Sequence, residues 1–268
     1  MAEARPAISV VLPVYDGERY VAEAVESILV QTFRDFELLI VDDGSKDGSL
    51  EILRDYAGRD PRVRLTSRPN AGLVPTLNEM LARARGEFIA RMDADDVALP
   101  ERLERQRDFL ERHPEVGLLG TAAREVDGIG REVGVVRPPT EDAALRGALI
   151  RHNPFVHSSV MMRRSALEQA GGYDPSFPVA QDYDLWMRMS RVTRMANLPE
   201  ALVVRRLLPG RISATREAER LRAEARVRWR AVRAGAYPAW CALFALRPYL
   251  AQALPASGRR VLRRFRTR

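Results

Sequence analysis

Over its first hundred residues the chain alternates between short, unbroken apolar runs and stretches whose apolar residues return every three or four positions. Ile8-Ser9-Val10-Val11-Leu12 gives way to Val21, Ala24, Val25, Ile28 and Leu29, and Leu38-Leu39-Ile40-Val41 to Leu50, Leu53 and Ala57. Residues 62–66 give way to Leu73, Leu77, Met80, Leu81 and Ala84, and the run from Glu87 to Met92 follows. Strands apolar on both sides need cover on both sides, so this alternation predicts an α/β fold: a doubly wound, mostly parallel sheet with helices on both faces, joined by right-handed crossovers. Ligands of such sheets collect at the carboxyl ends of the strands. Pro13-Val14-Tyr15-Asp16-Gly17-Glu18, Asp42-Asp43-Gly44-Ser45 and Asp93-Ala94-Asp95-Asp96 all follow strand ends, which places them on one edge.

The last of these sets three carboxylates side by side. They repel one another and stay ionised together when a cation sits among them; a divalent metal carrying phosphates satisfies that need, and the partner is then a nucleotide. The competing reading is a helix N-terminus with solvated acids, because Pro100-Glu101-Arg102-Leu103 opens a helix shortly afterwards. D-x-D alone does not choose between them.

The second half is less regular, and its signals predict α+β decoration. They are a strand at residues 116–120, a hairpin across Asp127-Gly128-Ile129-Gly130, a helix near 141–150, a strand at 158–163, a turn at Gly171-Gly172-Tyr173-Asp174 and a helix from Gln181 to Met189. These residues divide into a domain over 1–210, with a nucleotide-binding half at about 7–115 and a second half at about 116–210, and a helical, Arg-rich extension over 211–268. The net charge of +7 conceals an asymmetry, because residues 211–268 hold 15 Arg and three Glu while the rest is mildly acidic. A basic tail on an acidic body faces something anionic. Its apolar stretch, residues 238–254, is too short for the ~20 residues of a membrane span and is broken by Arg247-Pro248. Trp240, Phe244 and Tyr249 beside Arg259-Arg260 and Arg263-Arg264 suit a helix lying on an anionic membrane surface; a core-covering helix with a basic end suits them equally. The single cysteine, Cys241, and the absence of a secretory pattern at the N-terminus lead to the expectation of a cytoplasmic protein, peripheral at the inner face of the membrane.

Taken together, Ser9 to Tyr15, Ile28 to Phe33, Leu39 to Gly48, Asn70-Ala71-Gly72-Leu73, Ala84 to Ala90 and Met92 to Asp96, followed by His157 to Arg163 and Gln181 to Arg188, resemble glycosyltransferase family 2 in that family's order, over roughly residues 7–205. The resemblance implies the GT-A fold and an inverting transfer of a sugar from a nucleoside diphosphate, UDP- or dTDP-type, to a hydroxyl of a glycan or glycolipid. It assigns a Mn²⁺ or Mg²⁺ ion to Asp95 and Asp93, with Asp93 also near the ribose and Asp96 outside the ion's immediate ligands. It assigns the general base to Asp182, where the family's usual Glu-Asp reads Gln181-Asp182. Nucleotide contacts fall to Pro13, Tyr15, Glu18, Asp42, Asp43 and Arg68, and contacts with acceptor or diphosphate to His157, Gln181 and Trp186. Asp16 stands where the family usually carries Asn.

Other classes fit less well. A sugar-nucleotide nucleotidyltransferase calls for a Gly-rich basic phosphate loop, which the segment after the first strand lacks, and a Rossmann dehydrogenase calls for G-x-G-x-x-G. A protein binding membrane or nucleic acid through its tail remains as the reading of another class. No nucleic-acid partner is expected, since the tail lacks a recognition-module signature and the body is acidic.

Overall fold

The computed structural model describes residues 5–208 and 216–246. Its nine-stranded sheet has the order β3-β2-β1-β4-β8-β6-β9-β5, with β7 paired to β6 outside that path. The strands are β1 (Ile8–Val14), β2 (Phe36–Asp42), β3 (Val63–Ser67), β4 (Phe88–Arg91), β5 (Val97–Ala98), β6 (Val116–Val126), β7 (Glu132–Val136), β8 (Met161–Arg163) and β9 (Arg194–Arg206). β3, β2, β1 and β4 run parallel; β8 reverses against both β4 and β6, and β6 and β9 are again parallel. The mostly parallel, doubly wound sheet is thus present. The chain leaves β1 toward β2 on one side and returns to β4 on the other, so the β1/β4 boundary is where a ligand crevice belongs.

Strand side chains alternate between two cores. Val11, Leu39, Val41 and Ile89 point to one face, which is covered by α3 (Leu73–Arg83), α5 (Asp142–Leu149), α6 (Arg164–Ala170), α7 (Gln181–Met189) and α8 (Glu217–Arg233). Ile8, Val10, Leu12, Leu38 and Ile40 point to the other, under α1 (Val21–Leu29), α2 (Ser49–Arg59) and α4 (Arg102–Arg112). The helix in the Arg-rich extension therefore covers core with Ala223, Val227 and Ala231. The expected domain boundary at 210/211 and the segment after Leu246, including Tyr249 and the Arg259–Arg264 clusters, lie outside the described residues.

Two expectations need correction. The strand forecast for 158–163 is a single 3₁₀ turn at His157–Ser159 followed by a three-residue strand, because the Ser159 amide donates to the Val156 carbonyl three residues back instead of to a neighbouring strand. The strand at 116–120 continues to Val126, where it pairs along β9, the longest strand and one without a forecast. Pro199 and Glu200 interrupt that pairing: Thr121 faces Leu198 and Ala122 faces Ala201, leaving two residues bulged.

One close approach gives a stability test. A Cβ on Gly86 would lie 2.5 Å from the Ser9 amide nitrogen and 2.6 Å from the Ile8 carbonyl carbon, both rigid β1 backbone. Gly86→Ala is expected to destabilise the protein by about 1–3 kcal/mol through forced backbone displacement, read as a lower urea midpoint. An unchanged midpoint would show that β1 and the loop before β4 give way freely.

Candidate active site

The loops after β1 and β2 are laced together. Asp16 takes a left-handed backbone (φ 48°), and its amide donates to Ser45 Oγ (3.0 Å) while its Oδ1 accepts from the Lys46 amide (2.7 Å). The Gly17 amide donates to Ser49 Oγ, the Glu18 amide to Asp47 Oδ2, and the Gly48 amide back to Glu18 Oε2. Asp and Asn both tolerate this backbone region, so Asp16 keeps the turn that the family builds with Asn. Above the laced pair, Tyr15 is 49% exposed and free to stack.

Asp42 and Asp43 are both buried, with different partners. Asp42 accepts from the Ser67 hydroxyl (2.8 Å) and the Ser45 amide (3.2 Å). Asp43 accepts from Arg68 and from the amides of Ala71 and Gly72, each at 2.9 Å, and Arg68 also binds Glu79 and Thr76. With its oxygens and guanidinium spent on shaping the 68–72 loop, the Asp43–Arg68 pair serves as framework. A ligand at this loop would meet Asp43 and Arg68 already engaged with one another.

At the end of β4, one carboxylate oxygen from each of Asp93, Asp95 and Asp96 lies within 4.8 Å of the others. Asp95 is pushed up to about 6 and Asp96 to about 7, first by burial and then by neighbouring carboxylates, Asp93 for both and Asp95 also for Asp96. A cluster of hard oxygen donors that resists ionising together fits a divalent cation, which would relieve that repulsion. Arg206, at the end of β9, staples the turn: its amide donates to Asp96 Oδ1 (2.8 Å) and its Nε to the Asp95 carbonyl (3.0 Å), while its guanidinium reaches Glu23. Arg206 escaped the sequence reading along with its strand.

Asp182, the second residue of α7, is partly buried. Its Oδ2 accepts from Asn153 Nδ2 (2.7 Å) and its Oδ1 from the Tyr183 amide (2.8 Å). Burial raises its pKa above the ordinary carboxylate value, opposed by the Tyr183 amide and Arg91. Gln181, beside it, is buried. His157 Nε2 lies 2.9 Å from the Tyr173 hydroxyl, and burial, reinforced by Arg91, holds the imidazole well below its usual value and hence neutral. Trp186 is 0% exposed, packed edge-on to His157 and against Phe155, and backs His157 from within the core.

Arg91 joins the two carboxylate groups. It is fully buried on β4 and binds Asp93 through one guanidinium nitrogen, while its Nε has no partner among the described residues. Its charge is felt at Asp95, Asp182, His157 and Tyr173 alike. The metal-type cluster and Asp182, 89 positions apart in sequence, thus both lie within the electrostatic reach of Arg91. A charged residue inside an otherwise apolar strand was the available signal, since a buried Arg implies a partner.

The pKa shifts give a second test. In the unfolded chain both aspartates titrate near 3.8, so between there and about pH 7 the folded, metal-free protein holds more protons and loses stability as pH rises. His157 acts oppositely around 6.5, where the unfolded chain takes up the proton, so the useful readout is the difference between wild type and Asp96→Asn. Between pH 5 and 8 in chelator, wild type is expected to lose on the order of 2 kcal/mol more than the variant in urea unfolding. Parallel curves would remove Asp96 as a strained buried acid.

A doubly wound, mostly parallel sheet with an acidic turn at its switch point is the architecture of the GT-A class. The Glycosyl transferase family 2 model matches residues 9–171, and the chain belongs to that family. It is 37% identical over 202 residues to EpsE of Bacillus subtilis (74% of this chain, 72% of that protein). It is 36% identical over 199 residues to the amylovoran biosynthesis glycosyltransferase AmsE of Erwinia amylovora (73% and 74%) and 32% over 200 residues to the O-antigen biosynthesis glycosyltransferase WbnJ of Escherichia coli (73% and 78%). The fold matches S. aureus TarS 1–349 in complex with UDP-GlcNAc at TM-score 0.68, with 23% identity, over 82% of this chain and 66% of that one. It also matches the mannosyltransferase PcManGT of Pyrobaculum calidifontis, in complex with GDP-Man and Mn²⁺, at TM-score 0.66, with 21% identity (97% and 80%). The chain is a family 2 glycosyltransferase, and its relatives include enzymes named for polysaccharide biosynthesis.

Proposed function

We propose that this enzyme transfers a sugar with inversion from a nucleoside-diphosphate sugar to a hydroxyl of a glycan or glycolipid, in assembly of a cell-surface polysaccharide or glycolipid at the cytoplasmic face of a membrane. The observation that supports the proposal is that Arg91, ion-paired with Asp93 of the acidic cluster, lies near enough to Asp182 to act on its carboxyl. The nucleotide lies across the ends of β1 and β2: Tyr15 stacks on the base, Asp42 accepts from the base edge, and Pro13 and Glu18 shape the rim. Donors bound by the solved relatives, UDP-GlcNAc and GDP-Man, support a nucleotide-sugar without choosing the base.

Asp93 and Asp95, with Asp96 behind them, would hold Mn²⁺ or Mg²⁺, and a bound divalent ion supplies charge neutralisation to the departing diphosphate. The remaining chemistry belongs to side chains. The acceptor oxygen attacks the anomeric carbon from the face opposite the diphosphate, its proton passes to Asp182, and the bond from the anomeric carbon to the phosphate oxygen breaks to release nucleoside diphosphate. Burial makes Asp182 a stronger base than a solvated aspartate, and Asn153 and the Tyr183 amide fix its direction. His157, neutral and tied to Tyr173, offers a hydrogen bond to acceptor or phosphate without adding charge, and Gln181 lines the acceptor side.

A panel of nucleotide sugars with Mn²⁺ or Mg²⁺, scored for nucleoside diphosphate release, tests the proposal. Metal-dependent turnover of at least one donor is the expected result. Release of pyrophosphate from a nucleoside triphosphate and a sugar phosphate would favour the nucleotidyltransferase reading instead.

A further inference from the structure

α8 has two unlike sides. Ala223, Val227 and Ala231 face the core. Arg222, Arg226, Trp229 and Arg233 recur at helical spacing along the opposite side and are all exposed. Neither Arg222 nor Arg233 forms an ion pair with a described residue. After a turn at Gly235 the chain makes a 3₁₀ turn at Ala239–Cys241 and is helical over 242–246. Here Cys241 and Ala245 are buried and Phe244 packs on the core, whereas Trp240 (62% exposed), Leu243 (66%) and Leu246 (53%) face outward. With Trp229 (51%), this short stretch holds four of the eight large apolar side chains exposed among the described residues.

We infer that this face docks on an anionic lipid bilayer. Outward Trp and Leu side chains beside outward arginines make an interfacial surface, with apolar groups entering the acyl boundary and guanidinium groups at the headgroups. The charge argument extends along the sequence, since residues 247–268 carry seven Arg and no acidic residue. A second copy of this chain is a poorer occupant, because a two-fold contact would bring the Arg222–Arg226–Arg233 stripes of both copies together. Nucleic acid would leave Leu243 and Leu246 without a partner.

The face adjoins the acceptor side. Arg230, on α8, donates to Asp174 and to Asp184, two residues beyond Asp182, and Arg228 donates to the carbonyl of Arg151, near Asn153. Docking there holds α7 and its carboxylate close to the bilayer, which rests on the transferase reading and narrows its acceptor to one presented at a lipid surface.

The test uses the full chain, without donor or acceptor, so that its outcome is independent of turnover. Sedimentation with vesicles of phosphatidylglycerol and phosphatidylcholine is expected to bind the protein at least 10-fold more tightly than phosphatidylcholine alone, with loss of binding in high salt. Trp240→Ser/Leu243→Ser/Leu246→Ser and, separately, Arg222→Glu/Arg233→Glu are each expected to weaken vesicle binding at least 10-fold while leaving circular dichroism and donor hydrolysis in solution unchanged. The surface charge reversal covers the case in which the apolar triple variant fails to fold. Equal binding to neutral vesicles, no vesicle binding at all, full binding by the charge-reversed variant, or a dimer that the apolar variant splits would each overturn the inference.

Discussion

Asp182→Asn is expected to lower turnover by roughly 10²–10⁴-fold while leaving nucleotide-sugar affinity within a few-fold of wild type. The substitution keeps the size of the side chain and its place at the start of α7, removes the capacity to take a proton, and exchanges one of the two acceptor oxygens for an NH2 group. The carboxylate is held by Asn153 and the Tyr183 amide, neither of which belongs to the nucleotide loops, so a loss confined to turnover is the signature of a base. Titration of donor followed by steady-state kinetics separates the two quantities. Equal loss of binding and turnover would make Asp182 a structural residue of α7.

Asp95→Ala is expected to give the complementary result, weakening metal-dependent nucleotide affinity by at least roughly 10–100-fold, the range measured when even indirect supports of a metal site are removed. Asp95 is the carboxylate of the cluster whose own side chain has no competing protein partner described; Asp93 is held by Arg91, and Asp96 accepts from the Arg206 amide. Calorimetric titration with nucleoside diphosphate, with Mn²⁺ and in chelator, reads the effect. In chelator the variant and wild type should bind alike, and a loss of the same size there would show that Asp95 contacts the nucleotide directly.

The nucleotide-binding half was legible because its strands are buried on both faces and its helices on one, so hydrophobic period and fold coincide. The strand ends then had to fall on one edge, and the Asp93–Asp96 turn could be placed before any coordinates. β9 was hidden by Pro199: a proline and a two-residue bulge break the period that announces a strand. Without β9 there was no place for Arg206, which fastens the acidic turn from the far side of the sheet. The burial of Trp186 could not be read from its spacing in α7, which fits either a lining residue or a core residue; packing against His157 and Phe155 puts it in the core. That Asp43 and Arg68 bind one another could not be read from the sequence, because 25 positions separate them and only the fold brings them together. Arg91 was visible as a charge in a buried strand, but its neighbours Asp182, His157 and Tyr173 come from distant segments that no local pattern connects.

The most direct measurement is the structure of crystals soaked with Mn²⁺ and a nucleotide sugar that the enzyme turns over. The ion should touch Asp95 and the diphosphate, the base should stack on Tyr15, and the anomeric carbon should turn the face opposite the phosphate toward Asp182. A nucleotide bound elsewhere, or an Asp182 carboxylate directed away from that carbon with the crevice occupied, would contradict the shared site.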